Sequence, residues 1–369
     1  MSGTSLDGID AALVDISGKD KETQVTLISF LTYPLTAALL QRIRDCLSPD
    51  QSTVAKICSL NVELGEVFAK AALAVCEQAA VPPTELAFIG SHGQTLLHIP
   101  ETQGSLVAST LQVGDAATIC ERTQTTVVAN FRERDMAVGG QGAPIVPYSE
   151  YLLYHSPKVT RILQNIGGIG NLTVIPRDLD EAEIIAFDTG PGNMIMNELC
   201  LSFFGEDYDK DGQHAAKGTV QPELLAELMA HPYIEKPFPK TTGREVFGKD
   251  FSQQLQDTWS EIAPDDFLAT VTMFTASSIA KAVGPLIQGP TELIIGGGGS
   301  YNPTLVAMIK ASLPDLVVKI QEELGYSSEA KEAIAMAILA NQTLQQGNGN
   351  VPSATGAKKA VPLGSITYY

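Results

Sequence analysis

At 369 residues and 44% hydrophobic content, the chain is long for one core and has apolar residues enough for two. Its formal net charge of -18, from 42 acids against 24 Lys and Arg, argues against nucleic acid and anionic membranes, which are held through basic side chains. The 5 cysteines are scattered with no C-x-x-C, the pattern of reduced thiols in a cytoplasmic protein, and no signal peptide or uninterrupted apolar run of about 18 residues is present.

Taken in order, Gly3-Thr4-Ser5-Leu6-Asp7-Gly8-Ile9-Asp10 combines two glycines, two hydroxyls and two acids. Glycines let backbone N–H groups approach an anion, and Thr4 and Ser5 add donors. Asp7 beside a phosphate requires a divalent cation between them, so the loop asks for a metal–nucleotide pair. A turn rich in Gly, Ser and Asp for conformational reasons alone is the plainer reading. Strands follow at 9–16, where Ile9, Ala11 and Leu13 alternate with polar or small residues, and at 24–31. Val54, Ile57, Cys58, Leu60, Leu64, Val67 and Phe68 predict a helix from about 53 to 80, closed by Pro82-Pro83. Short strands are expected at 86–90, leading into Ser91-His92-Gly93-Gln94-Thr95, and at 125–130, leading into Phe131-Arg132-Glu133-Arg134-Asp135.

Beyond the polar loop at 139–144, segments 161–165 and 171–176 read as a hairpin around Gly167-Gly168-Ile169-Gly170. A strand at 184–187 ends at Asp188-Thr189-Gly190-Pro191-Gly192-Asn193, and a helix follows to Leu201. Helices are expected at 265–287 and 329–345, with strands at 293–295 and 317–320. The first of these strands runs into Gly296-Gly297-Gly298-Gly299, and the tail from Gly347 to Ala360 reads as mobile. Asp209-Lys210-Asp211-Gly212 resembles a calcium loop but lacks the full ligand spacing, and no Cys/His cluster suggests a metal site. Strands, turns and helices thus recur twice, as expected for two α/β halves. No Walker A or dinucleotide fingerprint occurs.

The stretches MSGTSLDGID, SHGQT, ANFRERDMAVGGQGAP, QNIGGIGNLTVI, FDTGPGN, GGGGSYNP and SSEAKEAIAMAILA together resemble the anhydro-N-acetylmuramic acid kinases, cell-wall recycling enzymes of the actin-like ATPase superfamily. The resemblance extends from residue 1 to about 345. It implies two actin-like, ribonuclease H-like halves with a nucleotide and sugar cleft, assigned here as 1–128 plus 346–369 and as 129–345. It implies hydrolysis of a 1,6-anhydro bond coupled to phosphorylation of O6 by ATP with Mg2+. Asp188, at the end of its strand, is then the base that activates water, as a carboxylate within reach of the attacked carbon would be. The nucleotide is expected at Gly3, Thr4, Ser5, Leu6, Asp7, Gly8, Ile9 and Asp10, at Gly167, Gly168 and Gly170, and at Gly296, Gly297 and Gly298. The sugar is expected at His92, Gln94, Arg132 and Glu332, with Arg134 an equal candidate for its carboxylate.

The expected partner is a small muramic sugar in the cytoplasm, without nucleic acid or membrane, and a homodimer is left open. An ordinary sugar kinase and a non-enzymatic actin-like nucleotide switch are the rival readings. Relatives carry a short apolar strand ahead of MSGTS. An upstream in-frame segment of about seven mostly apolar residues is therefore expected, or else the tail at 361–368 fills that strand position, because an open sheet edge exposes unpaired backbone.

Overall fold

The computed structural model describes all residues except 3–5, 7, 49, 178–183 and 239. The chain divides into two compact units, Met1–His155 with Ala330–Tyr369, and Ser156–Glu329. The boundaries differ from those expected: residues 129–155 and 330–345 join the first unit, because the helix over 331–344 packs on that unit's strands.

The first unit opens with the antiparallel pair β1 (Ile9–Ser17) and β2 (Gln24–Tyr33). Helix α1 (Ala37–Leu47) starts at Thr36, whose hydroxyl accepts the Leu39 N–H, and α2 (Val54–Gln78) starts likewise at Thr53. Strand β3 is only Ile89–Gly90, followed by the hairpin β4 (Gln94–Ile99) and β5 (Ser109–Val113), helix α3 (Ala116–Thr123) and β6 (Val127–Ala129). Short α4 (Glu133–Ala137) and α5 (Val146–Tyr154) complete this stretch. Ile9, Ile43, Leu60, Leu64, Phe68, Ile119 and Val127 form the core.

The second unit is built on one mixed sheet. Strands β7 (Thr160–Ile166), β8 (Ile169–Ile175) and β9 (Ile185–Pro191) are antiparallel neighbours, and β10 (Thr291–Gly296) and β11 (Val317–Ile320) pair parallel on the far side of β7. Leu293, Ile294 and Ile295 are fully buried, as a strand covered on both faces requires. Helix α6 (Met194–Phe204) follows β9, α7 (Pro264–Val283) runs through the core, and α8 (Pro303–Ser312) follows the glycine run after β10. The segment Pro264–Leu286 is long and apolar enough to cross a bilayer, yet 67% of its apolar window is buried and it packs as a core helix.

The chain returns to the first unit through α9 (Lys331–Leu344), which packs against β1, β3 and α5. Contact with β3 is close enough that a Cβ on Gly90 would lie 2.4 Å from the Met336 carbonyl oxygen. The tail read as mobile is fixed. Buried Asp135 accepts from Gly142 N–H (2.8 Å), Asn350 Nδ2 (2.7 Å) and Thr355 Oγ1 (2.8 Å), and Gly349 N–H donates to Val361 O. Strand β12 (Ser365–Thr367) then pairs antiparallel with β6, giving the order β12-β6-β3. The tail therefore lies on the edge of β6 remote from β3.

Candidate functional site

In the first unit, the four residues expected at the sugar occupy the loop and helix ends around β3, β4 and α9. His92 and Gln94 are buried, at 4% and 1% exposure. Arg132, which the sequence placed at a strand end, instead stands at the start of α4. Its Nε donates to His92 Nε2 at 2.9 Å and its Nη1 to the Gly142 carbonyl at 2.8 Å. His92 Nδ1 faces the Gly93 carbonyl at 3.1 Å, which places the ring proton there and leaves Nε2 as the acceptor. Burial and then Arg132 push the His92 pKa down to about 3, so the ring is neutral. Glu332, exposed in the first turn of α9, raises the Arg132 pKa against the larger effect of burial. Arg134 is exposed and outside this pairing. Gln94 Oε1 accepts the Ser2 hydroxyl at 2.6 Å, so it touches the start of the N-terminal loop. Within that loop Gly3, Thr4, Ser5 and Asp7 lie outside the described residues. Leu6 has a left-handed φ of 59°, and Asp10 is engaged by the Thr32 hydroxyl at 2.7 Å.

In the second unit, three glycine segments converge. Gly167 and Gly168 form the turn between β7 and β8, and their carbonyls accept the N–H groups of Asn193 (2.7 Å) and of Gly192 and Met194 (2.9 and 3.1 Å). A Cβ on Gly192 would lie 2.2 Å from the Gly167 carbonyl oxygen. Gly297 has φ +80, and a Cβ there would meet Asn165 Oδ1 at 2.8 Å and the Ile166 carbonyl oxygen at 2.9 Å. Glycine is required at both places, in one case by close approach and in the other also by conformation. Gly170 packs its backbone against Thr189, and Gly296 against Gln321. Next to Gly298 opens a cavity of about 360 Å3, whose wall includes Asn193, Asn197, Asp209, Lys210 and Tyr301. The Asp-Lys-Asp-Gly run discounted as a calcium loop thus lines this cavity. Its Asp209 carboxylate is bound to the N–H groups of His214 and Ala215. Gly192 and Asn193 belong to the FDTGPGN stretch noted in the sequence but were given no site role there, although the Gly-Pro-Gly-Asn spacing after Asp188 was a signal for one.

Asp188 lies inside β9 rather than at its end, opposite Asn171 of β8, since β9 continues to Pro191. It is held from three sides: its N–H donates to Lys240 O, its carbonyl accepts from the Tyr233 hydroxyl (2.8 Å), and its Oδ2 accepts the Thr242 N–H (2.9 Å). Burial raises its pKa, opposed by the Thr242 N–H. Thr242, whose buried Oγ1 has no partner among the described residues, was not foreseen. Among the described residues no three His, Cys, Asp or Glu side chains form a metal cluster.

Glycine-built turns beside a cavity, and a desolvated carboxylate on a strand of the same unit, are features that an α/β phosphotransferase uses. The sequence comparisons specify which one. The family described as anhydro-N-acetylmuramic acid kinase matches residues 1–369, and the chain belongs to that family. A relative named anhydro-N-acetylmuramic acid kinase from Bacillus cereus (strain AH187) is 52% identical over 373 residues, covering 100% of this chain and 98% of the relative. One from Bacillus anthracis (strain CDC 684 / NRRL 3495) is 51% identical over 374 residues, with the same coverage. Solved structures similar to the chain include component A of the Acidaminococcus fermentans (R)-2-hydroxyglutaryl-CoA dehydratase (TM-score 0.44, 11% identity, 90% of this chain and 97% of that one). A ROK family glucokinase from Streptomyces griseus in complex with glucose and AMPPNP is another (TM-score 0.34, 12% identity, 89% and 98%). The assignment rests on the sequence matches, and the chain is a kinase.

Proposed function

We propose that the chain opens 1,6-anhydro-N-acetylmuramic acid with water and transfers the γ-phosphoryl group of ATP to the released O6, giving N-acetylmuramic acid 6-phosphate and ADP in the cytoplasm. Water forms the new bond at C1, the C1–O6 bond breaks, and O6 takes the phosphoryl group as ADP leaves. Asp188 accepts the proton of the attacking water. Its burial with no cationic partner among the described residues is the observation that carries this reading, since desolvation makes a carboxylate a better base.

The glycine turns at 167–170 and 296–298 and the adjoining cavity suit a nucleotide, because glycine lets backbone N–H groups approach phosphate. Arg132, held by His92 and Gly142, suits the lactyl carboxylate of the sugar, with Gln94 and Glu332 offered to its hydroxyls. Magnesium would travel with the phosphates. Asp10 is occupied by Thr32, and such a cation keeps several waters and takes one or two carboxylates beside phosphate, so the lack of a three-acid cluster among the described residues does not conflict with it.

Incubation with ATP and the anhydro sugar, or with ATP and the reducing sugar, tests the reading. The first pair should give the 6-phosphate. Turnover of the reducing sugar alone would establish an ordinary sugar kinase, and no turnover of either would establish a nucleotide switch. The Asp188→Asn variant should lose about 10²–10⁴ in rate, the usual worth of a general base, while binding ATP within a few-fold of the parent. Retention of more than about a tenth of the rate would remove Asp188 from the mechanism.

A further inference from the structure

Strand β9 is an edge of its sheet, and Asp188 turns its backbone groups outward, away from β8. Tyr233, Lys240 and Thr242 meet it there. Lys240 O accepts the Asp188 N–H at 3.0 Å, and the Tyr233 hydroxyl donates to the Asp188 carbonyl at 2.8 Å. Further contacts hold these residues in place. Phe238 stacks on Phe187 with ring centroids 4.9 Å apart, and Lys240 Nζ donates back to the carbonyls of Tyr233 (3.2 Å) and Ile234 (3.3 Å). Downstream, Phe247 is fully buried against Tyr233, Phe251 and Phe274. Anchored on both sides, the chain delivers Thr242 to the carboxylate, and its N–H donates to Oδ2 at 2.9 Å.

This arrangement employs the backbone of Thr242 and leaves its side chain unexplained. Oγ1 is buried with no partner among the described residues, and it stands three bonds from the nitrogen that is bonded to Oδ2. The hydroxyl therefore adjoins the carboxylate. A hydroxyl taken out of water without a partner is costly, so one found in a native fold points to a ligand or water that it serves. Asp188 is engaged on one oxygen only: Oδ2 takes the Thr242 N–H, and Oδ1 accepts no hydrogen bond among the described residues. Two acceptor oxygens side by side, one on each residue, match a small molecule that donates two hydrogens, as water does.

We infer that Thr242 is a positioning residue for the attacking water, which donates one hydrogen to Asp188 Oδ1 and the other to Thr242 Oγ1 and so keeps a lone pair for C1 of the sugar. The inference rests on Asp188 being the base, as proposed above. A carboxylate alone would leave the water free to rotate about a single hydrogen bond, and the second anchor removes that freedom. As the water oxygen bonds to C1, the hydrogen on Oδ1 passes to Asp188 as a proton. The hydrogen facing Thr242 remains on the new C1 hydroxyl, and the C1–O6 electron pair leaves on O6, which takes the phosphoryl group. The Thr242 N–H has a separate task, holding Oδ2 so that Oδ1 is the oxygen presented.

Thr242→Val removes the hydroxyl while keeping the shape and the N–H to Oδ2. Its kcat with ATP and the anhydro sugar should fall about 10–100-fold, the consequence of a reactant displaced by about an ångström, with KM for both substrates within about two-fold of the parent. The acid limb of kcat/KM should stay where the parent has it, since the donor to Oδ2 is untouched. Tm should not fall, because the lost hydroxyl has no partner among the described residues. Thr242→Ser keeps the hydroxyl without the methyl group and should recover most of the rate. A Thr242→Val rate within about two-fold of the parent would overturn the inference. So would a Thr242→Ser rate as low as that of Thr242→Val, which assigns the loss to packing of the methyl group, or a rise in KM for the sugar with kcat unchanged, which puts the hydroxyl on the sugar. Asp188→Asn measured alongside separates the two levels. If it keeps its rate, the assignment of the base fails; if it is inactive while Thr242→Val is fully active, the base stands and only the second anchor is removed.

Discussion

Asp188 shows how one side chain's surroundings set its chemistry. A carboxylate pulled from water and given one N–H donor holds its proton more tightly than usual. The acid limb of kcat/KM should therefore fall above the ordinary value of 3.8, and a limb at or below it would exclude Asp188 as the base. The same shift has a stability consequence of opposite sense to that of a salt-bridged acid. With the folded pKa raised, the contribution of Asp188 falls as pH rises from 3.8 through the folded value. Asp188→Asn should therefore melt at or above the parent at pH 7 while being inactive, and a drop in Tm at neutral pH would contradict this. His92 contributes differently. Neutral and bonded to Arg132, it acts by orienting the guanidinium. His92→Leu leaves the Arg132 Nε–H without its acceptor and should raise KM for the sugar about 10-fold or more, with the KM for ATP unchanged. With the His92 pKa near 3, no inflection between pH 5 and 8 should disappear in this variant.

At the scale of elements, close backbone approaches decide where substitution is tolerated. In Gly192→Ala a methyl group would meet the Gly167 carbonyl oxygen at 2.2 Å, and since both partners are backbone one of the two turns must move. With the nucleotide held at these turns as proposed, calorimetric titration should show ATP affinity reduced about 10-fold or more, the effect of displacing a positioning turn by a fraction of an ångström. Asp135 does comparable work for the tail. Asp135→Leu strands the buried donors of Asn350 and Thr355 and should lower stability by about 2–3 kcal/mol in urea denaturation, with the segment 350–361 becoming susceptible to protease. A melt unchanged within error would show the tail to be held by β12 alone.

Across the whole molecule, the cysteines report burial in both units. Cys46, Cys76, Cys120 and Cys200 are buried and Cys58 is exposed on α2. Burial raises all four buried thiols, Cys200 to about 11. Titration with a thiol reagent should find one fast group in the native protein and all 5 after denaturation. More than one fast native thiol would mean that a core opens on the timescale of labelling.

Local signals carried much of the architecture. Periodicity located β1, α2, the β7–β8 hairpin, β10, β11, α7 and α9 to within a few residues, because each has one consistently apolar face or is apolar throughout. Motif content, read as a whole, named the family that the comparisons show. Contacts distant in sequence were not legible. Nothing in the segment Gly347–Ala360 announces that Asn350 and Thr355 meet Asp135, since pairing across more than 200 residues leaves no local pattern. The strand-end position expected for Asp188 failed for a related reason: β8 supplies a ladder that carries β9 on through Gly190 to Pro191. The sequence by itself determined the α/β class, the order of elements and the family, because these follow from side-chain periodicity and from residues in fixed local spacing. Tertiary structure alone decided that α9 belongs with β1 and β3, that His92 serves Arg132, and that Thr242 meets Asp188. Each of those depends on backbone groups and side chains brought together only when the chain has packed.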